Sequence, residues 1–235
     1  MDTPHMPPDH VPPDHVPDHM PPGHTSPADT ADLAAMASDA TSSPHMDSGS
    51  HMASGPHVAS IHTWRTRPEA PAGMADAADR AAVRAVNLAA FPTAHEADLV
   101  DGLRDDPAWI PGLSMLAEAP DGTIVGHALL TRCRVGDAPA LALAPVAVAP
   151  EYQRTGAGSA AVRAALDAAR ELGEDLVLVL GHPDYYPRFG FTPASGLGIR
   201  APFDVPDEAM MALRLRPDGA PAPTGVISYP APFGV

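Results

Sequence analysis

The chain has 235 residues with 29 acidic side chains against 14 basic ones, all of them arginine, for a formal charge of −15. Counterion release on a phosphate backbone needs clustered cations, so these scattered arginines exclude a basic nucleic-acid-binding face, and no apolar run reaches membrane-spanning length. A single cysteine, Cys133, excludes an intrachain disulfide framework; with a start that lacks a basic and apolar leader, it points to the reducing cytoplasm.

Residues 1–62 hold nine of the 12 histidines, eight aspartates, no arginine and no aromatic side chain, so −8 of the formal charge sits there. Such a composition cannot bury enough apolar surface to offset chain entropy, and residues 1–61 read as a disordered tail. Its imperfect repeat "PPDHVPPDHVPDHM" (7–20) favours extended chain. Imidazoles beside carboxylates can ligate zinc or nickel, but composition alone fixes no ligand geometry, so a solvated acidic linker is the preferred reading. A third reading starts the working protein later, at Met52 or Met74.

Trp64–Arg67 reads as a first strand. "MADAADRAAVRAVNLAAF" (74–91) is helical, with Ala82, Val83, Val86, Ala89 and Ala90 on one face and Arg80, Arg84 and Asn87 on another. A shorter helix spans 94–106. Residues 113–135 make two strands around an Asp121-Gly122 turn, and 140–150 a third, ended at Pro150. The stretch 157–172 is the strongest helix, with Val162, Ala165, Leu166 and Ala169 at helical spacing and Gly173 as its stop. "LVLVLG" (176–181) is continuously apolar, as a strand covered on both faces must be. A tight turn over "PDYYPRFGF", a strand at 191–194 and a last strand at 208–217 complete the order. These elements predict an α/β (α+β) mixed sheet with helices on both sides over 62–216, followed by a C-terminal extension at 217–235.

"APEYQRTGAGSAAV" (149–162) places a glycine pair between a strand and a helix. The first turn of a helix leaves N–H groups unpartnered at its positive end, and glycine removes the Cβ between those amides and an incoming oxygen. A nucleoside-triphosphate loop needs Gly-Lys-Ser/Thr, and this chain has no lysine. Gly156, Gly158 and Ala161 satisfy G-x-G-x-x-A, but Pro150–Thr155 separate them from the strand, and Asp175 begins rather than ends the next one. The dinucleotide reading fails too.

"VAVAPEYQRTGAG" resembles the motif V-x-P-x-x-Q/R-x-x-G-x-G/A of the GNAT superfamily of acyl-CoA-dependent N-acetyltransferases. "LGHPDYYPRFGFTPAS", "PFDVPDEAMMALRL" and "YPAPF" are similar to its YhbS-like branch. The resemblance implies a GNAT-like fold and acetyl-CoA as acyl donor, with no metal required. It implies that Val146 and Val148 meet the pantetheine arm through their backbone. Gln153, Arg154, Thr155, Gly156, Ala157, Gly158 and Ser159 would then hold the diphosphate. The family's acid, a tyrosine four residues before a Gly-Phe pair, falls on Tyr186, with Tyr185 as a packing residue.

The implied reaction is direct attack of a primary amine of a small molecule or protein on the thioester. The amine must be neutral to attack, although free alkyl amines have a pKa near ~10.4. Many relatives carry a glutamate base on the strand before the glycine loop, but 140–149 has no carboxylate. Glu118, His127, His182 and Asp184 are the candidates, and a water chain is the alternative. A non-catalytic CoA sensor or interaction module, with a metal-binding tail as a variant, is the competing function. Either way the partners are acetyl-CoA and an amine acceptor rather than nucleic acid or membrane, and the chain is a monomer or homodimer.

Overall fold

A computed structural model describes residues 64–71, 76–216, 219 and 221–235. The His/Pro/Asp-rich stretch and every reading attached to it lie outside these residues.

The described chain runs β1 (Arg65–Pro68), α1 (Asp76–Ala90), α2 (His95–Arg104), β2 (Ser114–Glu118), β3 (Ile124–Val135), β4 (Ala138–Val148), α3 (Ala157–Glu171), β5 (Leu176–Leu180), β6 (Thr192–Pro193), β7 (Ile199–Arg200), β8 (Met210–Arg214) and β9 (Gly225–Ser228). The main path of the sheet is β1-β2-β3-β4-β5-β8-β6. All these neighbours are antiparallel except β4 and β5, which are parallel because α3 crosses between them. One core packs α1 and α2 on one face of the sheet; the other packs α3 on the opposite face. This is the mixed sheet covered on both sides that the periodicity predicts. Among the described residues no helix is long and apolar enough to cross a membrane.

The local signals explain the element ends. Gly122 takes φ 88° in the β2–β3 turn, where Thr123 N–H donates to Asp121 Oδ1 at 2.9 Å. Helix α3 closes with both bonds of a Schellman cap: Gly173 N–H to Arg170 O and Glu174 N–H to Ala169 O, each 3.0 Å, with Gly173 at φ 81°. Glu174 then accepts two bonds from Arg132 of β3 at 2.6 and 2.7 Å, fixing the helix end to the sheet.

Two expectations change. Residues 225–233 are part of the fold: β9 pairs with the end of β3 and with β7, and Phe233 is buried in the α1/α2-side core. The boundary expected at 216 therefore cuts through packed structure. The buried face of α1 is Asp79, Val83, Val86 and Asn87, while Ala89 is exposed. Polar partners turn the helix this way. Asp79 accepts a fork from Arg67 at 2.6 and 2.7 Å, and the Asn87 amide donates to Val83 O at 2.9 Å beside the His127 ring.

Asn87 opens a buried chain of polar groups. Its Nδ2 lies 3.3 Å from His127 Nδ1; His127 Nε2 lies 3.0 Å from Ser114 Oγ, which donates to Glu69 Oε2 at 2.6 Å. Arg104 Nε reaches Glu69 Oε1 at 3.0 Å. Since the Ser114 hydrogen goes to Glu69, its oxygen accepts from His127 Nε2–H, and Nδ1 is left to accept from Asn87. The ring is thus neutral, and burial, then the Arg104 charge, push its pKa from 6.5 down to about 3. A depressed pKa means that the unfolded chain binds the proton first. Stability from this site is full above pH 6.5 and falls as pH drops toward about 3. His127→Ala, which removes one partner each from Ser114 and Asn87 and empties the space of a buried ring, is expected to cost about 3 kcal/mol in urea unfolding at pH 7.5 and to flatten that acid slope.

Candidate active site

The site begins where two parallel strands part. β4 and β5 pair only at Leu141↔Val177 and Ala142↔Leu178. Beyond Ala142, β4 stays bonded to β3 as far as Val148, and β5 stays bonded to β8 as far as Leu180↔Met210. Among the described residues, 143–148 therefore present an edge without a strand partner on the β5 side. The opening has a local cause: the β3–β4 register steps from Leu130↔Leu143 to Ala128↔Val146, so β4 carries one extra residue across Ala144 and Pro145. Such a bulge bends its strand and raises its twist, here away from β5. Pro145 has no N–H to offer a neighbour in any case. Val146 and Val148, half-buried, lie on this unpaired stretch.

The glycine loop stands at the wide end. A single helical turn over Pro150–Tyr152 leads into it, and Gln153 Nε2 donates back to Val148 O at 3.3 Å, tying the loop to the strand. Arg154 at φ 61° and Gly156 at φ 99° occupy the left-handed region, which turns the chain sharply into α3. The first bond of that helix is Ala160 N–H to Gly156 O at 2.9 Å, so the amides before it lack an intrahelical acceptor. Arg154, Thr155 and Gly156 are exposed, Ser159 is half-buried, and Ala157 and Gly158 are buried. A Cβ on Gly158 would lie 2.9 Å from Val148 Cγ2 and 3.3 Å from the Tyr185 phenol oxygen. Close approach of helix, strand and tyrosine is what requires glycine here.

The far wall comes from the turn after β5. Tyr186 is 3 % exposed and packs edge-on against Tyr185 and Phe191, with centroids 5.1 and 5.8 Å away. Its ring lies against Gly181: a Cβ there would overlap Cε2 and sit 2.9 Å from Cδ2. Burial, then Tyr185, push the phenol pKa well above the usual 10, so the group stays protonated. Tyr185, expected to be the packing residue, is the less buried of the pair. Its hydroxyl lies 3.4 Å from Ser159 Oγ, and its ring lies under Arg188. The turn runs across the end of the sheet, so one ring enters the core while the other reaches α3.

The base candidates separate. His127 is enclosed in its polar chain and belongs to the core. Glu118 accepts Arg67 Nε at 2.6 Å on the β1 side of the sheet. His182 and Asp184 follow the end of β5, directly before the two tyrosines, with Nδ1 and Oδ2 3.9 Å apart. Cys133 is buried, its thiol pushed up to about 12 by burial, and takes no part. The interaction that sequence reasoning missed is that of Trp64, whose Nε1–H donates to Thr155 O at 3.1 Å. Among the described residues no group of three or more His, Cys, Asp or Glu could hold a metal ion.

An opened parallel pair, a helix N-terminus at its mouth and one buried and one half-buried phenol beyond it make up the candidate site. The family described as "Acetyltransferase (GNAT) family" matches residues 81–191. The chain is 43% identical over 138 residues to the uncharacterized N-acetyltransferase YjhQ of Escherichia coli, covering 57% of this chain and 76% of that one. It is 30% identical over 153 residues to the uncharacterized N-acetyltransferase YhbS of the same organism, covering 64% and 90%. Among solved structures, Escherichia coli YhbS in complex with CoA superposes with TM-score 0.66 at 27% identity, over 73% of this chain and 92% of that one. A Brucella melitensis GNAT acetyltransferase in complex with acetyl-CoA gives 0.58 at 29%, over 73% and 99%. The chain belongs to the GNAT family of acetyltransferases, enzymes that take their acetyl group from acetyl-CoA.

Proposed function

We propose that this chain moves the acetyl group of acetyl-CoA to a primary amine of a small molecule or protein by direct attack. The observation that carries the reading is the unpaired stretch 143–148 of β4 ending at a glycine-opened helix N-terminus. The pantetheine arm adds along Val146 and Val148 as a strand would. The amides of Gly156, Ala157, Gly158 and Ser159 take the diphosphate, Arg154 adds a cation, and Gln153 and Thr155 hold the turn. Attack places negative charge on the thioester oxygen, which a main-chain N–H of the opened strand meets. Collapse expels CoA thiolate, and Tyr186 supplies its proton. Although a free phenol is a weaker acid than a free thiol, the dry pocket that raises the phenol also penalises the thiolate, so transfer is not opposed by burial.

One observation favours a second assignment of the acid: the Tyr185 hydroxyl, not that of Tyr186, is the phenol that reaches Ser159 beside the loop. Comparing Tyr185→Phe with Tyr186→Phe separates the two. His182 is the side chain that supports a base role at this end of the sheet, directly or through water. The reaction suits the cytosol, where acetyl-CoA is available and a lone thiol stays reduced, for a monomer or homodimer. A screen of small amines, polyamines and basic peptides, reading released CoA thiol, tests the reading. Acetyl-CoA binding with no thiol released by any acceptor would favour a non-catalytic CoA sensor instead.

A further inference from the structure

The glycine loop is held from outside by a residue distant in sequence. Trp64 directly precedes β1, and α3 packs across β1, which brings the indole to the first turn of that helix. Its Nε1–H donates to the Thr155 carbonyl, 91 residues further along, at 3.1 Å. Its ring meets Tyr152 edge-on with centroids 6.0 Å apart. A Cβ on Gly156 would sit 3.5 Å from Nε1. The indole thus lies against the single peptide unit that joins residues 155 and 156.

That unit has little restraint of its own. Its plane turns about Thr155 ψ and Gly156 φ; Gly156 is in the left-handed region, and glycine takes positive and negative φ with similar ease, so the plane can turn over unless something holds it. A trans peptide is planar, with its oxygen and its amide hydrogen on opposite sides. Fixing Thr155 O toward the indole fixes Gly156 N–H away from it. We propose that Trp64 is a positioning residue for the diphosphate: its indole N–H locks the 155–156 peptide in the orientation that presents Gly156 N–H to the ligand. The glycine motif sets the path of the loop, and Trp64 sets the direction of its first amide. This inference rests on the reading of the loop as a CoA site.

Trp64→Phe keeps an aromatic ring against Tyr152 and removes the donor. Calorimetric titration with CoA, and with pantetheine at millimolar concentration, reads the proposal, because pantetheine shares the arm and lacks the diphosphate. The CoA Kd is expected to rise about tenfold, equivalent to one hydrogen bond of about 1.4 kcal/mol. Pantetheine affinity should not change, and kcat at saturating acetyl-CoA should change less than about twofold. In a Trp109→Phe chain, where Trp64 is the remaining tryptophan of the two, its emission should respond to CoA and not to pantetheine. This second readout leaves the Trp64 contact intact. Equal CoA affinity in the Trp64→Phe and unaltered chains, or Trp64 emission indifferent to bound CoA, overturns the proposal and leaves the CoA site standing. An equal loss toward pantetheine reduces Trp64 to general support and also overturns it. Failure of the unaltered chain to bind CoA removes the site and the proposal together.

Discussion

Tyr186→Phe is expected to lower kcat about 10²-fold, the size of effect general acid catalysis supplies, while acetyl-CoA binds as before. The ring is held on three sides, by Tyr185, Phe191 and the backbone at Gly181, so phenylalanine fits the same space without rearrangement. Among the described residues no hydrogen bond holds the Tyr186 hydroxyl, so its removal leaves no protein group unpaired and no stability loss to confuse the kinetics. Steady-state kinetics with calorimetry of acetyl-CoA binding distinguishes this from a packing role. Unchanged turnover would move the acid to Tyr185 or to water.

Gly181→Ala should reproduce most of that loss from the backbone side. Gly181 ends the run of β5 pairing, with its N–H bonded to Ala209 O at 2.9 Å, so the position itself is anchored. A methyl group there overlaps the Tyr186 ring, and a ring packed between two other aromatics has nowhere to retreat except toward the opening. The expected cost is about 1–3 kcal/mol of stability from overpacking, with a fall in kcat comparable to that of Tyr186→Phe. The double variant Gly181→Ala, Tyr186→Phe should show little further loss of turnover, because both changes remove the same phenol from the same place. Additive losses would mean that Gly181 acts on something other than Tyr186.

The geometry of the candidate site is legible where its signal is local. A strand, a short turn and Gly156 and Gly158 opening α3 lie within a dozen residues, and each glycine has a backbone or contact reason to be there. The parting of β4 from β5 was not readable from the residues alone. It depends on the pairing register of β3 with β4, which no pattern within either strand encodes. Asn87 lies on the buried rather than the polar face of α1 for a related reason. Periodicity sets it apart from the apolar residues, and only the chain of partners that begins at His127 on β3 makes its burial tolerable. The C-terminal strand was hidden by the Pro- and Gly-rich stretch before it, which reads as a linker although it leads into the four-residue β9 and buried Phe233. Trp64 reads only as a strand residue until the fold brings Thr155 beside it.

The most direct test of the central claim is a crystal structure of the chain grown with CoA. The account predicts diphosphate density against the amides of residues 156–159, with the pantetheine arm running along Val146 and Val148 in the gap beside β5. A nucleotide bound elsewhere, or an arm that leaves that strand edge bare, would contradict it.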